Sequence, residues 1–502
     1  MKKKRYYAAI DLGSSNGRIM LGSFDGEKFA LKEIHRFPNG PIRIFESLYW
    51  DPIYLFSEVK LGLQKCRKAA GEPLCGVGVN SWGVDFVLLD RGGQLLGLPY
   101  HYRDLRTTGM MEAVFQHISK EEIFELTGIQ FMEINTLFQL YSLVAHNSPL
   151  LEVAETFLTI SDLIQYWLSG QVCNEFSNAT TTQLYDQRAR SWAWSLLEKL
   201  GIPSHIFQAV VQPGTILGSL LADLAEELTL ERVPVIAPVC HDTGSAWAGI
   251  PAKAGSNDIF LSSGTWSILG WETLSPVITP EALANNFTNE GGAEGTVRFS
   301  KNVMGLWLIQ ECRRVWAQAG EVYSYDQLAS MAGLAEPLRL FIDPDDETFL
   351  RPGNMPARIR EYIVQTGQVA PIDRESILRC AFESLALKYR WIIERIERMI
   401  GKSLQAIHIV GGGAQNCLLC QLTADATGKP VIAGPDEATA FGNIMLQAIA
   451  LGHLSSLQEG RAALRQSVQL LTYEPQFSNL WEDTYQRFCQ LLGSTSKHGL
   501  SK

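Results

Sequence analysis

Tyr6-Tyr-Ala-Ala-Ile-Asp-Leu-Gly-Ser-Ser-Asn-Gly-Arg-Ile-Met-Leu21 is the stretch on which the reading of the fold turns. Tyr6–Ile10 reads as a buried strand. Asp11 to Gly17 supplies the small, polar residues of a tight turn, and Arg18–Leu21 resumes the apolar pattern, so the segment predicts a β-hairpin. A related pattern comes about 250 residues later, where Ile259-Phe-Leu261 leads into Ser262-Ser-Gly-Thr265 and continues as Trp266-Ser-Ile-Leu269. That spacing is half the chain. It predicts a duplicated fold with its boundary near Gly249 to Ala254, giving domains over residues 1–250 and 251–502.

Working outward, Cys75–Asn80 and Phe86–Leu89 read as strands, and residues 119–201 as mostly helical. In the second half Cys380–Ile400 predicts a long amphipathic helix. It is followed by a strand at Ala406–Val410, a Gly-rich turn, a helix at Asn416–Thr427, a strand at Pro430–Ala433 and a helix from Glu437. Alternating helices and buried strands place the chain in the α/β class. Beyond Gly452 the sequence is polar and reads as a closing helix.

Composition narrows the function. The 502 residues carry 43 Lys+Arg against 53 Asp+Glu, a net charge of −10, with 46% hydrophobic residues. This is globular composition with ample core. Without a Lys/Arg stripe, a nucleic-acid backbone is not expected as partner. The one basic run, Lys2-Lys3-Lys4-Arg5, is followed by too short an apolar stretch for a secretory signal. No membrane span is expected either, so the expected location is the cytoplasm. Nine cysteines are too scattered for a disulfide scaffold, and Cys417-Leu-Leu-Cys420 lacks a second pair to complete a zinc site.

Four segments can carry chemistry. Asp11–Arg18 can aim backbone N–H groups and hydroxyls at phosphate oxygens. At the end of its strand, Asp11 suits a hard cation such as Mg²⁺ held through water. Leu261–Trp266 is its counterpart. Taken singly, each turn reads equally well as an ordinary hairpin turn, but two in matched places fit the clamping of one polyphosphate. Val410-Gly-Gly-Gly-Ala-Gln-Asn416 permits close approach of a flat or anionic ligand. Gly411 and Gly413 match the start of a dinucleotide fingerprint, with Asp436 or Glu437 at roughly the right distance, but Asn416 replaces its last glycine. In Cys240-His-Asp-Thr-Gly-Ser-Ala246, Asp242 reads as a carboxylate at a strand end, placed to accept a proton from a substrate hydroxyl. A capping Asp beside a satisfied His remains the plainer alternative. No G-x-S-x-G elbow supports a hydrolase around His241.

Taken in order, these segments resemble the FGGY-family carbohydrate kinases over nearly the whole chain. Within that family the strings Trp82-Gly-Val-Asp-Phe86 and Asn289-Glu-Gly-Gly-Ala-Glu-Gly295 are similar to those of the branch that phosphorylates L-rhamnulose. The resemblance implies two ribonuclease-H-like, actin-type ATPase domains with an active-site cleft between them. It also implies transfer from ATP to L-rhamnulose, giving L-rhamnulose 1-phosphate and ADP. Carried over by position, Asp242 is the expected proton acceptor, and Gly83, His241, Asp242 itself, Thr243 and Asn302 are the expected sugar contacts. Ser14, Ser15, Asn16, Gly17, Arg18, Thr265, Gln310 and Gly412 are the expected ATP contacts. The expected partners are thus a small sugar and ATP, in a monomer or small homo-oligomer. Two departures are Asn16, where relatives often have Ser, and Gly244, where Ala is common; both preserve small size. The alternatives are a kinase for another ketose, L-fuculose or L-xylulose, and a sugar sensor without chemistry, which the presence of Asp242 speaks against.

Overall fold

The computed structural model describes residues 4–371, 373–476 and 479–498, so Lys2 and Lys3 of the basic run lie outside the described residues. The chain forms two compact units. The first comprises residues 1–254, 272–300 and 437–468, and the second 255–271, 301–436 and 469–502. Among the described residues no helix is long and apolar enough to cross a membrane.

The first unit is built on a six-stranded sheet of β1 (Arg5–Leu12), β2 (Asn16–Phe24), β3 (Phe29–Pro38), β4 (Leu74–Ser81), β5 (Thr215–Ser219) and β6 (Pro234–Ala237), in the order β5-β6-β4-β1-β2-β3. The predicted hairpin is present, with Asp11 opposite Arg18 and Leu12 opposite Gly17. β4 runs parallel to β1, and β6 parallel to β4. The near-continuous apolar run of β1 follows from burial on both faces. Ala8, Ile10 and Leu12 enter one core with Val59 and Leu63 of the helix Pro52–Ala70. Tyr7 and Ala9 enter the other, with Ile444 and Met445 of the helix Ala438–Ala450. The helix Pro52–Ala70 is delimited by its own sequence: Asp51 accepts from the Tyr54 N–H at 2.8 Å, Pro52 occupies the first turn, and Gly71 closes it in the left-handed region.

The second unit repeats the arrangement. β7 (Ile259–Ser263) pairs antiparallel with β8 (Trp266–Thr273) and parallel with β9 (Ile407–Val410), which in turn runs parallel to β10 (Val431–Ala433). The last strand, β11 (Leu471–Tyr473), pairs antiparallel with β10. In both units a hairpin feeds two further parallel strands on one side of its first strand. The long helix spans Arg374–Ile400, with Asp373 accepting from the Ser376 N–H at 2.7 Å; it starts six residues before the apolar periodicity becomes visible.

Residues 119–201 are mostly helical as expected, with short strands, including Thr156–Thr159, among the helices. Two readings need correction. The segment after Gly452 is two helices, Leu457–Arg465 and Asn479–His498, with β11 between them. Asp242 does not end a strand. β6 stops at Ala237, and Asp242 is the first residue of the helix Asp242–Ala248. The CxxC pair lies on the helix Cys417–Thr427, with Cys417 exposed and Cys420 buried, both as free thiols.

Candidate functional site

In the first unit, sheet order alone gathers the predicted residues at one edge, because β1, β4 and β6 are parallel neighbours whose carboxyl ends lie side by side. Asp11 pairs across to Asn80, and Leu12 to Ser81. The loop after β6 is tied to β4: the Ser81 N–H donates to the Cys240 carbonyl at 2.9 Å, and the Asn80 amide donates to the Val239 carbonyl at 2.6 Å. Asn80 in turn accepts from Asn443 at 2.6 Å. The helices Asp242–Ala248 and Ala438–Ala450 touch backbone to backbone. A Cβ on Gly249 would lie 2.0 Å from the Ala438 carbonyl oxygen, and one on Gly442 would lie 1.9 Å from that of Ser245. Only glycine fits at either position.

Asp242 emerges from this packing with its side chain 29% exposed, so the carboxylate can be reached from outside. Its Oδ1 accepts from the Thr243 N–H at 2.5 Å and from the Thr243 hydroxyl at 3.1 Å. Burial holds the carboxyl above the usual range, His241 opposes this, and the like charge of Asp11 adds to it. His241 Nε2 lies 3.4 Å from Asp242 Oδ1. The His241 N–H donates to the Ser177 hydroxyl at 3.0 Å. That hydroxyl donates to Glu175, which also accepts from the N–H groups of Ser177, Asn178 and Cys240. Glu175 is wholly buried, and burial pushes its carboxyl up to about 7.

Gly83 lies just past β4. A Cβ there would approach Thr181 Oγ1 to 3.0 Å, and the next residue, Val84, sits at φ 65° with its N–H on that same oxygen at 3.2 Å. Asp85 underpins the turn, accepting from the indole N–H groups of Trp50 (2.6 Å) and Trp82 (2.9 Å) and from Gln139 (3.0 Å); burial pushes its carboxyl up to about 6.

The first turn is closed by the Gly13 N–H on the Asn16 carbonyl at 3.0 Å, with Ser14 half-buried and Ser15 exposed at its tip. The Asn39 side chain donates to the Gly13 carbonyl at 2.7 Å. Arg18 bridges two carboxylates, reaching Asp11 Oδ2 with Nη2 and Glu437 with Nη1, each at 2.5 Å.

The second unit carries a turn of different character. The Gly264 N–H closes on the Trp266 carbonyl at 2.8 Å, and the Thr265 carbonyl accepts from the N–H groups of Gly305 and Trp307. The Thr265 hydroxyl donates to Gln310 Oε1 at 3.1 Å, so these two predicted residues are brought together. Ser262 pairs with Val410, which sets the glycine turn beside this hairpin. Gly411 has φ 79°, a Cβ on Gly413 would fall 2.1 Å from Ser263 Oγ, and a Cβ on Gly412 would meet nothing within 4 Å. The open side of that turn is at Gly412. Asn416 caps the next helix by accepting from the Leu419 N–H at 2.9 Å, which accounts for an Asn where a dinucleotide fingerprint has glycine. Asn302 is half-buried on the strand Val297–Met304.

Nothing in the sequence pattern singles out Glu175 or Arg298, although both are fully buried around His241. Glu290 lies within the quoted Asn289–Gly295 string, yet its part in the packing is visible only in three dimensions. Gly244 is less permissive than its small size implies. An Ala Cβ there would come within 2.5 Å of Val239 Cγ1 and 3.3 Å of Arg298 Cζ.

Comparison with known proteins agrees with this architecture. The chain is 43% identical to a rhamnulokinase of Bacteroides thetaiotaomicron, over 97% of this chain and 99% of that one. It is 41% identical to a rhamnulokinase of Oceanobacillus iheyensis, over 93% and 97%. Among solved structures it is similar to ligand-bound xylulose kinase from Lactobacillus acidophilus (TM-score 0.81, 16% identity, 98% of each chain). It is also similar to Plasmodium falciparum glycerol kinase with ADP (TM-score 0.79, 14% identity, 99% of each chain). The N-terminal domain model of the FGGY family of carbohydrate kinases matches residues 6–249 and the C-terminal domain model residues 259–451, and with both halves matched the chain belongs to that family.

Proposed function

We propose that this kinase transfers the γ-phosphoryl group of ATP to the C1 hydroxyl of L-rhamnulose, giving L-rhamnulose 1-phosphate and ADP. Similarity to rhamnulokinases along nearly the full chain supports the substrate. The observation that carries the chemistry is the Asp242 carboxylate: partly exposed, made more basic than an ordinary Asp by burial, and set between His241 and Thr243. In this reading Asp242 takes the proton of the C1 hydroxyl as its oxygen attacks the γ-phosphorus. The bond from phosphorus to the β–γ bridging oxygen breaks, and ADP leaves with that electron pair.

Gly83, His241, Thr243 and Asn302 hold the sugar, and Ser14 to Arg18, Thr265, Gln310 and Gly412 hold ATP. The backbone and hydroxyl donors of the two turns offset charge on the phosphates, while the glycines admit the nucleotide. Mg²⁺ fits here as an ion that arrives with ATP. Among the described residues no cluster of three or more His, Cys, Asp or Glu could hold it alone. Asp11 commits Oδ2 to Arg18 and retains Oδ1 for a metal-bound water. The metal would supply neutralisation of phosphate charge. We place the reaction in the cytoplasm, where ATP and the sugar meet, carried out by a monomer or small homo-oligomer.

The test is ADP release with L-rhamnulose, L-fuculose, L-xylulose, D-xylulose, D-ribulose and glycerol as acceptors. A clear kcat/KM preference for L-rhamnulose is expected. Preference for another ketose would overturn the substrate and leave the chemistry, whereas no turnover on any acceptor would overturn both.

A further inference from the structure

The Asn289–Gly295 string has no part in the chemistry described so far, yet it builds the floor under His241. The Asn289 carbonyl accepts from Gln187 at 2.6 Å, and the Gly291 N–H donates to Thr180 Oγ1 at 2.8 Å. A Cβ on Gly291 would lie within 2.6–3.1 Å of the Phe176 ring, so the strand can come this close only as glycine. Glu290 and Arg298 face each other across the hairpin, in register.

Arg298 is fully buried. Its Nε donates to the Gly291 carbonyl at 3.0 Å. Its Nη2 lies 2.9 Å from Glu290 Oε2 and 2.9 Å from His241 Nδ1, which uses both hydrogens of that nitrogen. A guanidinium has no lone pair to offer and stays charged, so the ring nitrogen facing it at hydrogen-bond distance must be the acceptor. Glu290 Oε2 also approaches His241 Nδ1, at the longer distance of 3.3 Å. The remaining nitrogen, Nε2, faces Asp242. The charged groups around the ring are thus Asp242 on one side and Glu290 with Arg298 on the other. Glu175 acts electrostatically on Arg298, and Asp11 on Asp242.

We infer that Arg298, oriented by Glu290, is a positioning residue that fixes His241 with Nδ1 unprotonated and Nε2–H presented toward Asp242 and the sugar. The ring thereby offers a donor, not an acceptor, beside the proton-accepting carboxylate. This gives the sugar a fixed N–H to bind 3.4 Å from Asp242 Oδ1, so that donor and proton acceptor keep a set spacing. The role rests on the proposed sugar site, but the tautomer does not.

The experiment is nitrogen-15 NMR of the histidine side chains in the full chain at neutral pH, with the His241 signals assigned by their loss in His241→Gln. The expected result is a single protonated ring nitrogen, Nε2. A proton on Nδ1, or on both nitrogens, overturns the inference whatever the activity. In Arg298→Met the pattern should change to Nδ1–H donating to Glu290. The KM for the sugar should rise about tenfold, the loss of one hydrogen bond, with the KM for ATP unchanged. A folded Arg298→Met that keeps the wild-type ring pattern removes Arg298 from the role. Where that variant does not fold, the wild-type spectrum still decides the tautomer, and the pair Glu290→Gln/Arg298→Met, which buries no lone charge, provides the comparison. Full turnover in Asp242→Asn would sink the base assignment and leave the tautomer result standing.

Discussion

The two hairpins share strand pairing, but the residues at their turns differ in chemistry. In the first unit Asp11, one residue before the end of β1, is locked to Arg18 and through it to Glu437. The parallel neighbours bring the His241–Asp242 loop to the same edge, where Glu175 holds it through the Cys240 N–H and the Ser177 hydroxyl. In the second, Ser263, Thr265, Gln310 and the Gly411–Gly413 turn are all uncharged. On the proposed function, one scaffold would serve two tasks. An edge of interlocked charges suits the handling of a proton and a metal, and an edge of hydroxyls, amides and bare backbone suits the contacting of a nucleotide. If that division holds, variants at the interlocked carboxylates of the first edge change rate and pH dependence, and variants at the second edge change ATP affinity without moving the pH profile.

The largest effect is expected at Asp242. Asp242→Asn keeps the shape and removes the proton acceptor, so kcat should fall on the order of 10²–10⁴-fold. Sugar binding by calorimetry should be close to wild type; turnover within threefold of wild type would end the division at its first edge.

The pH profile follows with a defined sign. Asp242 must be ionised to accept a proton, and burial holds its carboxyl above the ordinary Asp range, with Asp11 adding to the rise. The profile of kcat/KM should therefore lose activity on acidification at a higher pH than an unperturbed Asp would give. Asp11→Asn removes a like charge, so the acid limb should move to lower pH, read from the midpoint and not from the height of the profile. An unmoved midpoint would show that Asp11 and Asp242 act independently.

Much of this contrast was legible in the sequence. Both hairpins, the Gly-rich turn and the His241-Asp242-Thr243 segment stand out because turn chemistry is local: Gly and Ser between apolar runs are visible within ten residues. The duplicated topology was legible for the same reason. What was not legible is non-local. Glu175 reaches the Cys240 N–H across 65 residues, and Arg298 reaches His241 across 57, with no periodicity to mark either. The helix at Asp242 was missed because Asp-Thr-Gly-Ser favours a turn by composition; it is helical because small residues let Ala438–Ala450 approach to backbone contact. β11 was missed because a three-residue strand has too few positions to show alternation.

Thr265→Val tests the second edge at moderate size. It removes the hydroxyl that meets Gln310 and should raise the KM for ATP about fivefold, on the scale of one hydrogen bond, while leaving the acid limb in place. A moved acid limb would mean that this edge also takes part in proton handling.

The smallest and most discriminating comparison is between adjacent glycines. A Cβ at Gly413 falls 2.1 Å from Ser263 Oγ and 2.4 Å from its Cβ, so Gly413→Ala must push β7 and the turn apart, at about 1–3 kcal/mol of stability by urea unfolding. At Gly412 the same methyl meets nothing within 4 Å. Gly412→Ala should therefore leave the unfolding midpoint unchanged, and any effect should appear only when a ligand approaches, as a rise of about twofold to fivefold in the KM for ATP. If both variants lose stability equally, the turn is a packing element on both sides. If neither affects ATP, Gly412 does not face the nucleotide, and the second edge loses one of the contacts on which its assignment rests.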